Sequence, residues 1–276
     1  MRIPFCKMSG CGNDFIVIDD RGGTFKHLKT ESFITAVCAR KTAIGADGII
    51  FIKQSDLADI GWDFFNADGS RAAMCGNGAR CAARFAEVSG IARAEVTIET
   101  DAGLVRACMK GSLVNLKLAP PEGLELNGRL VIGGRDMSVH RLVVGVPHAV
   151  VFVDDVERVP VAEWGRAVRF EPCFQPQGTN VNFVSQAGTN MLHIRTYERG
   201  VEDETLACGT GAVAAALIAI ALGMVSSPVR LVTHGGDMLS VETPQSQPPF
   251  VDVLLEGEAR VVYMGELWDE AYGCEG

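Results

Sequence analysis

Cys75-Gly-Asn-Gly-Ala79 and Cys208-Gly-Thr-Gly-Ala212 are two copies of one motif, set 133 positions apart. Sliding residues 75–90 over 208–223 leaves identities at Cys75, Gly76, Gly78, Ala79, Ala82, Ala83, Ala86 and Gly90. Four of these are alanine pairs, which an alanine-rich composition partly explains. The same ungapped register also pairs Gly45 with Gly178, Phe64 with Tyr197, Thr100 with Thr233 and Gly103 with Gly236. A register kept over that length predicts an internal repeat. The expected halves are residues 1–119 and 120–263, facing each other across a cleft, with residues 264–276 packing back on the first half.

Each motif opens an alanine-rich apolar stretch that ends at Gly90 or Gly223, where glycine suits a left-handed helix cap. Both repeated cysteines are therefore expected at helix N-termini. Phe15-Ile-Val-Ile, Gly48-Ile-Ile-Phe-Ile, Val96-Thr-Ile-Glu-Thr, Val143 to Val153, Asn182-Phe-Val and Val251 to Leu255 read as strands. Many short strands and few buried helices predict an α+β fold of two pseudo-symmetric domains, each a β-sheet wrapped around a central helix, with the active site in the cleft between them.

The chain has 276 residues, 47% of them hydrophobic and 21% charged, and a formal net charge of -9. Without a block of Lys or Arg it lacks the electrostatic footprint for phosphate backbones or anionic lipid, so neither nucleic acid nor membrane is an expected partner. Residues 1–10 carry Pro4 and Lys7 where a signal peptide needs an unbroken apolar stretch. The most apolar window, Ala212 to Val225, is short for a bilayer span. Nine cysteines scattered without a secretory signal fit reduced thiols and a cytoplasmic location. A small-molecule substrate is the expected partner, and a homodimer is left open.

A thiol at a helix N-terminus has its pKa lowered by unpaired N–H groups and the helix dipole, and a carboxylate binds well at the same place. Moving an α-proton of an amino acid from one face to the other takes a base, an acid and donors for the substrate carboxylate. Cys75 and Cys208 supply the first two as a coupled thiol/thiolate pair; His148 and Glu198 are the candidates to tune it. A buried cysteine is most often a small apolar residue, and repetition in an identical motif sets this pair apart; Cys81 reads as core. Gly209-x-Gly211-x-x-Ala214 fits a dinucleotide fingerprint, but the preceding Asp203-Glu-Thr-Leu-Ala is a poor strand and no acidic residue lies near position 230. Cys75 and Cys81 lack the paired spacing of a zinc site.

Lys7-Met-Ser-Gly-Cys-Gly-Asn-Asp-Phe, Phe65-Asn-Ala-Asp-Gly-Ser, Met74-Cys-Gly-Asn-Gly-Ala-Arg-Cys, Pro147-His148, Gly178-Thr-Asn180, Glu198-Arg-Gly and Glu204-Thr-Leu-Ala-Cys-Gly-Thr-Gly resemble, in order, the diaminopimelate epimerase family. The resemblance implies conversion of LL-2,6-diaminopimelate to the meso isomer, feeding lysine and peptidoglycan synthesis, without pyridoxal phosphate or metal. It implies Cys75 and Cys208 as the acid/base pair, and Gly76, Asn77, Gly209 and Thr210 as donors to the reacting carboxylate. His148 and Glu198 resemble the thiol-tuning pair, and Asn13, Asn66, Asn180 and Arg199 the group that reads the distal end of the substrate.

Val146 stands where many members have Asn, Ser9 where His is common and Gly48 where some have Gln, while Glu202-Asp203 lengthen the loop after Arg199. Val146 removes a polar contact and bears on the substrate more than on the chemistry. Two other readings are a two-thiol racemase for another amino acid, such as histidine or a proline derivative, and a non-catalytic binding protein. Arg199, Asn66 and Asn180 argue against the first, because a monocarboxylate has no use for them. Both intact cysteine motifs argue against the second.

Overall fold

The structure, a computed structural model, describes residues 2–273. Two compact units form, one from the residues through Leu116 together with those from Gly257 onward, the other from Lys117–Glu256. The return to the first unit starts at Gly257 and not at residue 264. The cause is strand Arg260–Leu267, whose residues from Arg260 on pair antiparallel with Ile3–Gly10, Ile3 facing Leu267.

The same succession of strands builds both units. In the first, Ile3–Gly10 pairs antiparallel with Asn13–Asp19, which runs parallel to Gly48–Lys53; Ile60–Asn66 follows antiparallel, then Glu95–Thr100 parallel and Gly103–Lys110 antiparallel. In the second, Arg135–Val144, Val146–Phe152, Asn180–Gly188, Met191–Glu198, Val229–Thr233 and Met238–Glu242 repeat that order and those directions. Adding 133 to the bounds of Asn13–Asp19 gives Val146–Phe152.

Among the described residues four α-helices accompany these strands: α1 (Glu31–Cys38), α2 (Gly76–Val88), α3 (Val161–Arg169) and α4 (Gly209–Ala221). Helices α2 and α4 also superimpose at the repeat offset. Each starts on its cysteine as an extended N-cap, with φ −147° and ψ 119° at Cys75 and φ −125° and ψ 110° at Cys208. Each ends in a Schellman turn: Gly90 N–H donates to the Glu87 carbonyl and Ile91 N–H to that of Ala86, while Gly223 and Met224 do the same to Ile220 and Ala219. Gly90 and Gly223 hold φ of +69° and +71°, where an L side chain is strained. Strands of its own unit pack around each of these helices. Cys81, Ala82, Ala83 and Ala86 of α2 are fully buried, as are Ala212 through Ala219 of α4.

Three details differ from the sequence expectations. The run Val143 to Val153 is broken at Gly145, whose φ of +69° turns the chain so that Val146 faces Val144 across a tight hairpin. Asp203–Thr205, read as a poor strand, forms a three-residue strand because Thr196–Glu198 offers it an antiparallel edge. Helices α1 and α3 complete the repeat beside α2 and α4. No described helix is long and apolar enough to cross a membrane.

Candidate active site

In the first unit the start of α2 gathers Cys75, Asn77 and Asn13. Cys75 is half-buried, and its Sγ accepts the Gly78 N–H at 3.4 Å. One turn of helix brings Arg80 under Asn77: Arg80 Nη2 donates to Asn77 Oδ1 at 2.6 Å, and Asn77 Nδ2 donates to Asn13 Oδ1. Asn13 donates onward to Asp47 Oδ2 at 3.1 Å, and Arg40 pairs with Asp47 and Asp14. Arg80 is fully buried, and its Nε and Nη1 meet no hydrogen-bond partner among the described residues. Asn66 stands apart, exposed at the end of its strand, with Nδ2 donating to Ser70 Oγ at 3.0 Å. A Cβ on Gly76 would meet nothing within 4 Å, so the backbone there is open to approach.

In the second unit Cys208 is buried at the start of α4, with Thr210 Oγ1 3.6 Å from its Sγ. His148 and Asn180 face each other on parallel strands. Asn180 Oδ1 accepts the Arg199 N–H at 2.8 Å, and Arg199 Nη1 donates to the Gln177 carbonyl at 2.8 Å. The polar end of Asn180 thus holds the turn that carries Arg199. His148, Pro147 and the Gln177–Thr179 segment line an open pocket of about 260 Å³ within this unit.

Burial pushes the His148 imidazole down to about 3, and the Arg199 charge pushes the same way. Burial also raises the Glu198 carboxyl above the ordinary carboxylate range, with Thr205 pulling the other way. Both groups are biased toward their neutral forms because a charge in either place loses its hydration. Cys81 is fully buried, its thiol raised by desolvation.

Asn182 was not singled out in the sequence. Its side chain is fully buried between His148, Ala149 and Thr196, and a Cβ on Gly211 would come within 2.2 Å of its Oδ1. The signal was present: one amide inside the apolar run Val181–Val184. Arg80, on the buried face of α2 three residues after Asn77, was missed in the same way. Among the described residues no three His, Cys, Asp or Glu side chains gather as a metal-binding group.

Known structures share this fold of paired strand-wrapped helices. A hydroxyproline epimerase from Agrobacterium vitis with bound trans-4-hydroxy-L-proline matches with a TM-score of 0.72 at 17% identity, covering 99% of this chain and 93% of that one. A Bacillus anthracis phenazine biosynthesis protein of the PhzF family matches with a TM-score of 0.74 at 15% identity, covering 97% and 99%. The class is thus the two-repeat α+β fold of these proteins. Within it, the family model described as "Diaminopimelate epimerase" matches residues 5–116 and 142–262. The diaminopimelate epimerase of Aquifex aeolicus is 44% identical over 279 residues, covering 97% of this chain and 99% of the relative; that of Chlorobaculum tepidum is 42% identical, covering 94% and 99%. The chain belongs to the diaminopimelate epimerase family.

Proposed function

We infer that the chain is an isomerase that interconverts LL- and meso-2,6-diaminopimelate, with Cys75 and Cys208 as its two acid/base groups. The observation that carries this reading is the placement of both repeated cysteines as N-caps of equivalent buried helices, in a chain nearly coextensive with relatives bearing that name. One thiolate takes the α-proton and the other thiol delivers a proton to the opposite face of the same carbon. Substrate and product then differ only in configuration, and the two sulfurs exchange protonation states. The proton inventory balances on the thiols, so the reading asks for no pyridoxal phosphate or metal.

Carbanion charge spreads onto the adjacent carboxylate, and the first N–H groups of a helix, which lack intrahelical partners, are the natural donors to it. Gly76 and Asn77 on α2 and Gly209 and Thr210 on α4 hold those positions. Arg199, carried on the turn held by Asn180, suits the distal carboxylate in a charge-assisted pair, with Asn13 and Asn66 as further polar contacts. His148 and Glu198 remain the groups that bias the thiols. A cytoplasmic enzyme with reduced thiols, supplying lysine and peptidoglycan synthesis, fits this chemistry.

The test is to incubate reduced protein with LL-diaminopimelate in deuterated water and follow the α-proton by NMR. Meso product with deuterium at the inverted carbon is expected, and Cys75→Ala or Cys208→Ala should each lower turnover roughly 10³-fold or more. Exchange with 4-hydroxyproline but not with diaminopimelate would overturn the substrate and keep the chemistry.

A further inference from the structure

Asn182 is placed so that its two ends cannot be exchanged. Nδ2 lies 3.0 Å from the Ala149 carbonyl oxygen, which only accepts, so the NH₂ end faces that side. Oδ1 accepts from the Thr196 hydroxyl at 2.9 Å. The second hydrogen of Nδ2 is then directed at His148 Nδ1, 3.3 Å away. A ring nitrogen that receives a hydrogen bond carries no proton, so in neutral histidine the proton resides on the other nitrogen. That nitrogen, Nε2, is buried and meets no hydrogen-bond partner among the described residues.

We propose that Asn182 is a positioning residue that holds His148 as the Nε2–H tautomer, so that the imidazole serves the site as a hydrogen-bond donor and not as the base that removes a thiol proton. A donor there stabilises developing negative charge on a thiolate or a substrate oxygen without itself changing protonation. The burial that keeps the ring neutral agrees with this. Gly211 belongs to the same device: any side chain there would collide with Asn182 Oδ1 and lies beside Cys208 Cβ, at 3.3 Å. The second glycine of the Cys208 motif thus lets the amide reach the first turn of α4. The role at the site rests on the epimerase reading; the tautomer does not.

The experiment is a long-range ¹H–¹⁵N correlation on the full reduced protein labelled with ¹⁵N-histidine, with the His148 signals identified by their loss in His148→Gln. Wild type is expected to show a protonated Nε2 and an unprotonated Nδ1. In Asn182→Asp the carboxylate only accepts, so the proton should move to Nδ1, and kcat should fall about 100-fold with KM within about threefold. Asn182→Leu, which removes the amide at similar volume, should give a mixture of tautomers, while Thr196→Val, which leaves the Ala149 contact in place, should keep the wild-type pattern. Should Asn182→Asp not fold, Asn182→Leu carries the test. Protonated Nδ1 in wild type, or an unchanged Nε2–H in every folded Asn182 variant, would overturn the assignment. Wild type with the expected tautomer but no turnover of diaminopimelate would overturn the epimerase reading and leave the Asn182 assignment standing.

Discussion

The starts of α2 and α4 are the same backbone device furnished in opposite ways. At α2 the polar groups are ionic: Arg80 backs Asn77, Asn77 meets Asn13, and Asn13 leads to the Asp47, Arg40 and Asp14 cluster. At α4 they are neutral: Thr196, Asn182 and His148 form a hydrogen-bonded chain. The two inner glycines show the same contrast. A Cβ on Gly78 would make ordinary contacts at 3.4–3.6 Å with Ile50, Cys75 and Trp62, whereas one on Gly211 would strike an amide oxygen. A duplicated scaffold repeats its helix start and its caps; the side chains beneath each cysteine give it a different electrostatic setting.

Alanine in place of each inner glycine gives the largest expected difference between the halves. Gly211→Ala should destabilise by about 3 kcal/mol, as overpacking does, while Gly78→Ala should be neutral or stabilising by up to about 1 kcal/mol from helix propensity. Urea unfolding of the two variants checks this, and equal losses would break the comparison. The next effect belongs to His148. Its folded pKa lies below the unfolded value, so folding favours the neutral ring, and the associated stability is present above about pH 6.5 and lost as pH falls toward about 3. Between pH 6.5 and 4.5 wild type should lose roughly 2–3 kcal/mol more than His148→Gln, read from unfolding midpoints at the two pH values.

Arg80 tests the ionic side. Two of its buried nitrogens meet no partner among the described residues, and each such group costs stability, so Arg80→Met should leave unfolding free energy unchanged or higher. With Asn77 released, kcat/KM should drop about tenfold, worth ~1.4 kcal/mol. A matching loss of stability would make Arg80 a structural residue only. The smallest effect is at Val146, which the repeat offset makes the equivalent of Asn13. Val146→Asn is expected to lower KM for LL-diaminopimelate about fivefold, the scale of one added hydrogen bond, in steady-state assays.

What was legible in the sequence follows the range of the interactions. The caps at Cys75, Cys208, Gly90 and Gly223 are local, and the repeat showed each of them twice. The break at Gly145 hid inside a β-branched run because valines on both sides extend equally well whether or not the chain reverses. Asp203–Thr205 became a strand only because a neighbour was there to pair with it. Asn182 depends on three strands and a helix meeting, so its partners are 14, 33 and 34 positions away in the chain. A polar residue in an apolar strand signals such a meeting without naming the partners.

The pairing of Ile3–Gly10 with Arg260–Leu267 sets an order of assembly. Lys117–Glu256 is a continuous stretch, and its last strand, Val253–Glu258, is complete once residue 258 has been synthesised. The first unit is made earlier yet lacks one strand until nearly the whole chain has emerged, and that contact joins residues 251 to 264 positions apart, which slows its formation. During synthesis the strand Ile3–Gly10 therefore waits with one edge uncovered, and the younger half is the first to finish folding.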